Sequence, residues 1–321
     1  MNGHRQFLYE FAPNGFSSHL TGRLELRTYD IAVAYENSVA RNIEGFPEFE
    51  VLRHKYEQRI EELNAKTSKF WNGSQIAPYN VTRRRTKELE KPEVHIEFIN
   101  KNYASHVIGE TLEELSGREG ASEYFRRKIG QPDSLLATDF GLIINVVTAD
   151  NKAIVARRSE EAYSWNGYWH VAVAESVTQQ DSENDGSINF LSVAKRALRE
   201  ELGIELDDSS IKQMVKIHTV NIHLQRHNWM LLVNVNLSNS DFTFQKIQAL
   251  RVVAGQDSWE SSDLRPVDFE EESLLNEFEK KEDEWIPFGL LCLMLSAISD
   301  NIMSVDEFLR VLKAPSTNMN R

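Results

Sequence analysis

Two adjacent glutamates, Glu200 and Glu201, lie near the end of a segment in which Leu191, Ala194, Leu198 and Leu202 recur at helical spacing. At about 100° per residue, positions 197, 200 and 201 fall in one wedge beside that apolar stripe. Both carboxylates therefore border the core and can converge on one cation. A hard divalent ion such as Mg²⁺ takes oxygen ligands of this kind and shares them with phosphate groups. Gly203 ends the helix, because glycine accepts the left-handed geometry of a C-cap. The same residues also read as a plain charged face, with Arg196 and Glu200 an i,i+4 pair contributing roughly 0.2–0.5 kcal/mol. Alone, this helix decides neither way.

The elements around it must hold those acids. Upstream, Gly141–Val147 and Ala153–Ser159 form a hairpin about a turn at Asp150-Asn151. Trp165 and Trp169 follow, then a strand over Val171–Ala174 and a polar loop over Gln179–Ser187. The helix runs from Phe190 to Leu202. A second hairpin covers Val215–Leu224 and Trp229–Leu237, and helices over Glu270–Glu279, Pro287–Ile298 and Val305–Leu312 close the chain. Strand alternation turns one of Arg157 and Arg158 inward, where a guanidinium forks onto a diphosphate; the alternative is a polar strand end. Trp169 and Trp165 serve either as stacking platforms or as packing. His218, His223 and His227 lack the spacing of a zinc site.

The first 135 residues read as a smaller α+β domain. They carry a strand over Tyr29–Val33, a helix over Glu48–Lys69 and a hairpin over Tyr79–Thr86 and Val94–Asn100, with Arg83, Arg84 and Arg85 on it. A short basic helix over Gly120–Gly130 leads to Pro132, near which the domain ends.

Arg196-Ala-Leu-Arg-Glu-Glu-Leu-Gly-Ile204 resembles the second half of the Nudix signature: Arg-Glu, an aliphatic, any residue, Glu-Glu, any residue, Gly, an aliphatic. The departure is Ala197, where the family has glutamate. Ser182 and Ile188 stand where family spacing places a glycine and a glutamate, so the loop before the helix reads as lengthened. The strand Trp169–Ser176 is similar to the family's Gly-Gly strand with its glycines replaced. Glu175 is then the candidate for the displaced upstream carboxylate, with Asp181 and Glu183 as alternatives. The resemblance implies a Nudix α/β/α sandwich with a mixed sheet over 136–313, after the domain of 1–135 and before a tail of 314–321. It implies Mg²⁺ or Mn²⁺ held by Glu200, Glu201 and Glu175, with Arg196 orienting a carboxylate. Glu201, Glu200 and Arg196 are the catalytic group, and Arg157, Arg158 and Trp169 the substrate-binding group. Ala197→Glu should then raise metal affinity or rate. The layout of the N-terminal domain, with its Asn102–His106 run, is similar to Nudix enzymes that cleave UDP-glucose.

The implied activity is a metal-dependent pyrophosphohydrolase that releases a nucleoside monophosphate from a nucleoside diphosphate linked to a second group. Its rival is a catalytically silent relative that senses or scaffolds a nucleotide ligand. A further family carboxylate on a late loop has Asp257 and Glu260 as candidates among many acids.

Composition narrows the partners. A net charge of −13, nearly all of it after residue 135 by a count of about −12 there, repels a nucleic-acid backbone. A small anionic nucleotide, screened by a cation, fits better. The 41% hydrophobic and 26% charged content excludes a disordered chain. The longest apolar run, Ile286–Ile298, is too short to span a bilayer, and no secretion signal opens the chain, so the expected place is cytoplasmic. The single cysteine, Cys292, reads as a core residue. A homodimer is compatible with all of this.

Overall fold

The computed structural model describes residues 26–29, parts of 54–62, 73–85, 92–103, 139–160, 162, 165–183, 187–223, 228–254, 261–280 and 284–313. Most of the Glu48–Lys69 helix, the Gly120–Gly130 helix, most of the Asn102–His106 run, and Asp257 and Glu260 lie outside the described residues. By packing, the chain divides into two compact units. One comprises 1–141, 176–189 and 220–230; the other comprises 142–175, 190–219 and 231–321.

In the first unit, β1 (Leu26–Tyr29), β2 (Ser74–Arg85) and β3 (Pro92–Asn102) form a sheet of order β1-β3-β2. β2 and β3 are antiparallel, as the hairpin expectation requires, and β1 lies parallel on β3. β1 starts upstream of the Tyr29–Val33 segment anticipated from sequence. The register slips between Pro78 and Asn80, because proline has no N–H to give the ladder and is tolerated at a bulge. Ile96 and Phe98, two residues apart, point into the core. Arg83, Arg84 and Arg85 pair with Val94, Glu93 and Pro92 along the ladder; their side chains lie outside the described residues.

A seven-stranded sheet follows the order β10-β5-β4-β9-β8, with β6 on β5 and β7 on β4. Its strands are β4 (Phe140–Val147), β5 (Lys152–Arg158), β6 (Trp169–Val171), β7 (Val173–Ser176), β8 (Val215–Ile222), β9 (Trp229–Asn236) and β10 (Ser261–Asp268). β4 is buried throughout, as its near-continuous apolar run predicts for an interior strand, and the Asn145 that interrupts the run donates to Asn234 Oδ1 on β9 at 3.0 Å. Trp229 N–H donates to the Asp139 carbonyl and Leu237 N–H to that of Val147. The offset is the same at both ends, so β9 runs parallel to β4, whereas β5 is antiparallel to it. The architecture is thus mixed α/β with a mixed sheet. Its helices are α1 (Phe190–Leu202), α2 (Asp208–Met214), α3 (Phe244–Ala254), α4 (Glu271–Lys280), α5 (Pro287–Ser299) and α6 (Val305–Lys313).

α5 opens with Pro287 at its first position and carries apolar side chains nearly all round. Among the described residues no helix is long and apolar enough to cross a membrane. Cys292 is buried on α5, its thiol directed at the Ile143 and Val233 carbonyls, and burial pushes its pKa up to about 12. α5 also seals two histidines. A Cβ at Gly289 would fall 2.8 Å from His170 Cδ2, so the helix approaches β6 only because this residue is glycine. His170 Nδ1–H donates to the Val171 carbonyl at 2.8 Å, and His218 Nε2 meets Ser296 Oγ at 3.1 Å. Desolvation is the main cause that lowers each imidazole to a pKa of about 4.

Both rings are therefore neutral when folded and become charged more readily when unfolded. Between pH 6.5 and about 4 the unfolded chain binds more protons, so stability is complete above pH 6.5 and falls as pH drops through that window. Urea midpoints at pH 7, 5.5 and 4.5 should decline steadily, by roughly 1–3 kcal/mol per histidine over the range. A level profile for the wild type would refute it, and His170→Leu should flatten the slope.

Candidate active site

The second unit holds the acids singled out by spacing. On α1, Phe190, Val193, Ala194, Ala197, Leu198 and Leu202 are buried, while Arg196, Glu200 and Glu201 sit at the margin of that face. Helical periodicity does this: the charged residues lie one step round from the stripe that packs. Glu175, projecting from β7, meets the helix there. Its Oε1 is 2.9 Å from Arg196 Nη1, and Glu200 Oε2 is 3.4 Å from the same nitrogen. Arg199 Nη2 holds the other Glu200 oxygen at 3.1 Å. Glu201 Oε1 accepts a hydrogen bond from Ala174 N–H at 3.0 Å, one residue before Glu175. The side chains of Glu175 and Glu200 are only 17% and 19% exposed, so this cluster feels a lower dielectric than a surface pair.

Two carboxylates from different elements thus converge on one cationic nitrogen, with a third against the adjoining backbone. All of their donors are hard oxygens, the chemistry that Mg²⁺ or Mn²⁺ requires. Among the described residues no three His, Cys, Asp or Glu side chains stand close enough to form a ready cage. In this structure Arg196 is the cation between Glu175 and Glu200.

Gly203 ends α1 at φ +69°, and its N–H donates to the Arg199 carbonyl, as an αL cap does. A Cβ there would lie 3.0 Å from the Leu250 carbonyl oxygen of α3. The glycine is therefore required twice over, by backbone conformation and by close helix approach. Gly203→Val should cost about 2–4 kcal/mol, combining left-handed strain with displacement of α3. Chemical denaturation checks this, and a loss below about 0.5 kcal/mol would contradict it.

The helix that presses on Gly203 supplies a residue absent from the sequence reading. Arg251 of α3 is half-buried, and its Nη2 donates to the Ser261 carbonyl at 3.0 Å. Desolvation lowers its pKa, opposed by the charges of Glu201 and Asp263. A basic group thus faces the acid that clamps α1 to β7.

The anticipated substrate group sits on β5 and β6. Arg157 Nε donates to the Gly167 carbonyl at 2.9 Å and so braces the turn that carries Trp165 and Gly167 at positive φ. Arg158 is close enough to His170 for its charge to disfavour protonation of that ring. Trp169 lies under the Arg265 guanidinium, 4.3 Å from Cζ to the ring centroid, and Arg265 is itself forked onto Glu277. Trp165 packs edge-on against Tyr168.

The other upstream carboxylates belong to the first unit. Asp181 accepts the backbone N–H and the hydroxyl of Thr178 at 2.8 and 3.0 Å, and so caps a short 3₁₀ turn. Ser182 and Ile188 pair with each other, and Glu183 N–H donates to the Ser187 carbonyl. These two contacts bring Ser182–Glu183 beside Ser187–Ile188 just before α1 begins.

No family model and no curated protein matches the chain. Among solved structures it is similar to a protein of Deinococcus radiodurans, at 15% identity and a TM-score of 0.31 over 49% of this chain and 80% of that one. It is also similar to a MutT/nudix family protein of Enterococcus faecalis, at 10% identity and 0.34 over 54% and 67%. Likenesses this shallow assign no family.

Proposed function

We propose that the chain is a divalent-metal-dependent pyrophosphohydrolase of the Nudix type, acting on a nucleoside diphosphate linked to a second group and releasing a nucleoside monophosphate. The observation that carries this reading is the convergence of Glu175 and Glu200 on Arg196 Nη1, with Glu201 beside them, within the stretch that resembles the signature. In this reading Glu175, Glu200 and Glu201 hold Mg²⁺ or Mn²⁺. When bound, the ion neutralises charge on phosphoryl oxygens and lowers the pKa of water. Arg196 holds two of the acids aimed at one point, and a carboxylate oxygen of the group takes the proton of the attacking water. Arg157 and Arg158 supply guanidinium donors for the diphosphate, and Trp169 an aromatic surface for the base.

One observation favours the silent rival. Ala197 is fully buried, so the position of the missing glutamate is closed, and Glu200 and Glu201 already have protein partners. A product assay over nucleotide sugars, dinucleoside polyphosphates and capped nucleotides, with Mg²⁺ and with Mn²⁺, separates the two. Release of a nucleoside monophosphate supports the hydrolase. Calorimetric binding of the same compounds without turnover supports the sensor.

A further inference from the structure

In the second unit the strand register gathers charged and aromatic side chains on one face of the sheet. Asp263 of β10 stands opposite Arg157 of β5, and Arg157 opposite Trp169 of β6. Residues directly opposite one another project on the same side, so these three form one row. Arg265, two residues beyond Asp263, shares that side and stands opposite Val155. Its long side chain reaches across Val155 on the diagonal and ends with Cζ 4.3 Å from the centroid of the Trp169 ring. This face is accessible: Arg157 and Asp263 are exposed, Trp169 is part-exposed, and the Arg265 side chain is 24% exposed.

The guanidinium is held in place over the ring. Arg265 Nη1 and Nη2 donate to the two oxygens of Glu277 on α4, at 3.0 and 2.5 Å. A fork of this kind fixes the guanidinium plane, which a lysine cannot reproduce. Trp169 is anchored in turn, since Ile286 N–H donates to its carbonyl at 2.8 Å. The negative face of an indole attracts a cation, and aromatic faces are the usual receptors of quaternary ammonium ligands. Here that place is taken by a planar cation of the protein's own, already paired with its carboxylate.

We propose that Arg265 sets the charge selectivity of the base site: by filling the cation position over Trp169, it makes the chain take an uncharged nucleobase and discriminate against a cationic, N-methylated one. The inference rests on the reading of Trp169 as the surface for the base, and it holds for a hydrolase and a sensor alike. An uncharged base still stacks on a ring that carries a cation, because stacking draws on surface more than on charge. A positively charged base loses its attraction to the indole and meets the guanidinium instead. Glu277 offers it no compensation, since both carboxylate oxygens accept from Arg265. Arg157 and Asp263, side by side and of opposite sign, largely offset each other.

Calorimetric titration of GDP and of 7-methyl-GDP into the full chain, with Mg²⁺ present, tests it on wild type, Arg265→Leu and Arg265→Lys. Wild type should bind GDP about tenfold more tightly than the methylated, cationic form. In Arg265→Leu the indole loses its cation and Glu277 its fork, so the order should reverse. Arg265→Lys keeps a cation at the ring and should keep the wild-type order. A purely structural role would weaken both nucleotides alike. Equal or tighter binding of 7-methyl-GDP by wild type overturns the proposal, as does an unchanged ratio in folded Arg265→Leu. The first of these results leaves the nucleotide reading standing, whereas a folded wild type that binds neither compound at millimolar concentration overturns both. Should Arg265→Leu fail to fold, the wild-type ratio decides.

Discussion

Glu201→Gln is expected to lower metal-dependent turnover by roughly 10²–10⁴-fold while leaving the fold in place. The two halves of that result have separate causes. Glutamine keeps a carbonyl oxygen where Glu201 Oε1 accepts from Ala174 N–H, so the clamp between α1 and β7 survives. What disappears is the charge, on which both cation affinity and the pairing with Arg251 depend. Melting temperature should therefore change little, whereas kcat/KM with Mg²⁺ or Mn²⁺ collapses. Glu201→Ala would mix the effects, since it also strands the Ala174 N–H at a cost of about 1–3 kcal/mol. Undiminished activity in Glu201→Gln would remove Glu201 from the catalytic group. A wild type without turnover on any substrate would instead move the weight to the sensor reading.

The acids on α1 were legible because everything that places them is local. The stripe of Leu191, Ala194, Leu198 and Leu202 and the stop at Gly203 lie within one helix, and the observed bounds are Phe190–Leu202. The partner of Arg196 on β7 was legible only as a choice among carboxylates. Nothing local distinguishes Glu175 from Asp181, and what separates them is that β7 brings one to α1 while the other caps its own turn. Arg251 was missed because α3 was missed. That helix turns Val252 and Val253 outward at 85% and 87% exposure, so its apolar residues mark no single face. The usable signal was Thr243, whose Oγ1 accepts Lys246 N–H at 3.3 Å as a helix start does. β10 escaped for a similar reason: only Leu264 and Val267 of it are buried, and Pro266 within the segment argues against a strand unless it lies at an edge, where β10 is.

Ala197→Glu should destabilise the protein by about 2–5 kcal/mol, and no gain in rate should accompany the loss. From spacing alone the opposite looked natural, because position 197 is one turn from Glu201 and carries a glutamate in the signature that the segment resembles. The structure closes that position. Ala197 has no exposed surface, and it belongs to the apolar set of Val193, Ala194 and Leu198. A glutamate there must either ionise inside that packing, at the cost of desolvating a charge, or force the end of α1 away from its neighbours. The second outcome would also strain the Gly203 contact with Leu250, because the same helix end makes it. Ala197→Gln separates charge from bulk: it has nearly the same volume, so equal losses point to overpacking and a larger loss for glutamate points to the buried charge. Denaturation with and without Mn²⁺ reads the remaining possibility. Stability of Ala197→Glu restored by the ion, with faster turnover, would show that the side chain reaches a metal after all and that the closed position opens when one binds.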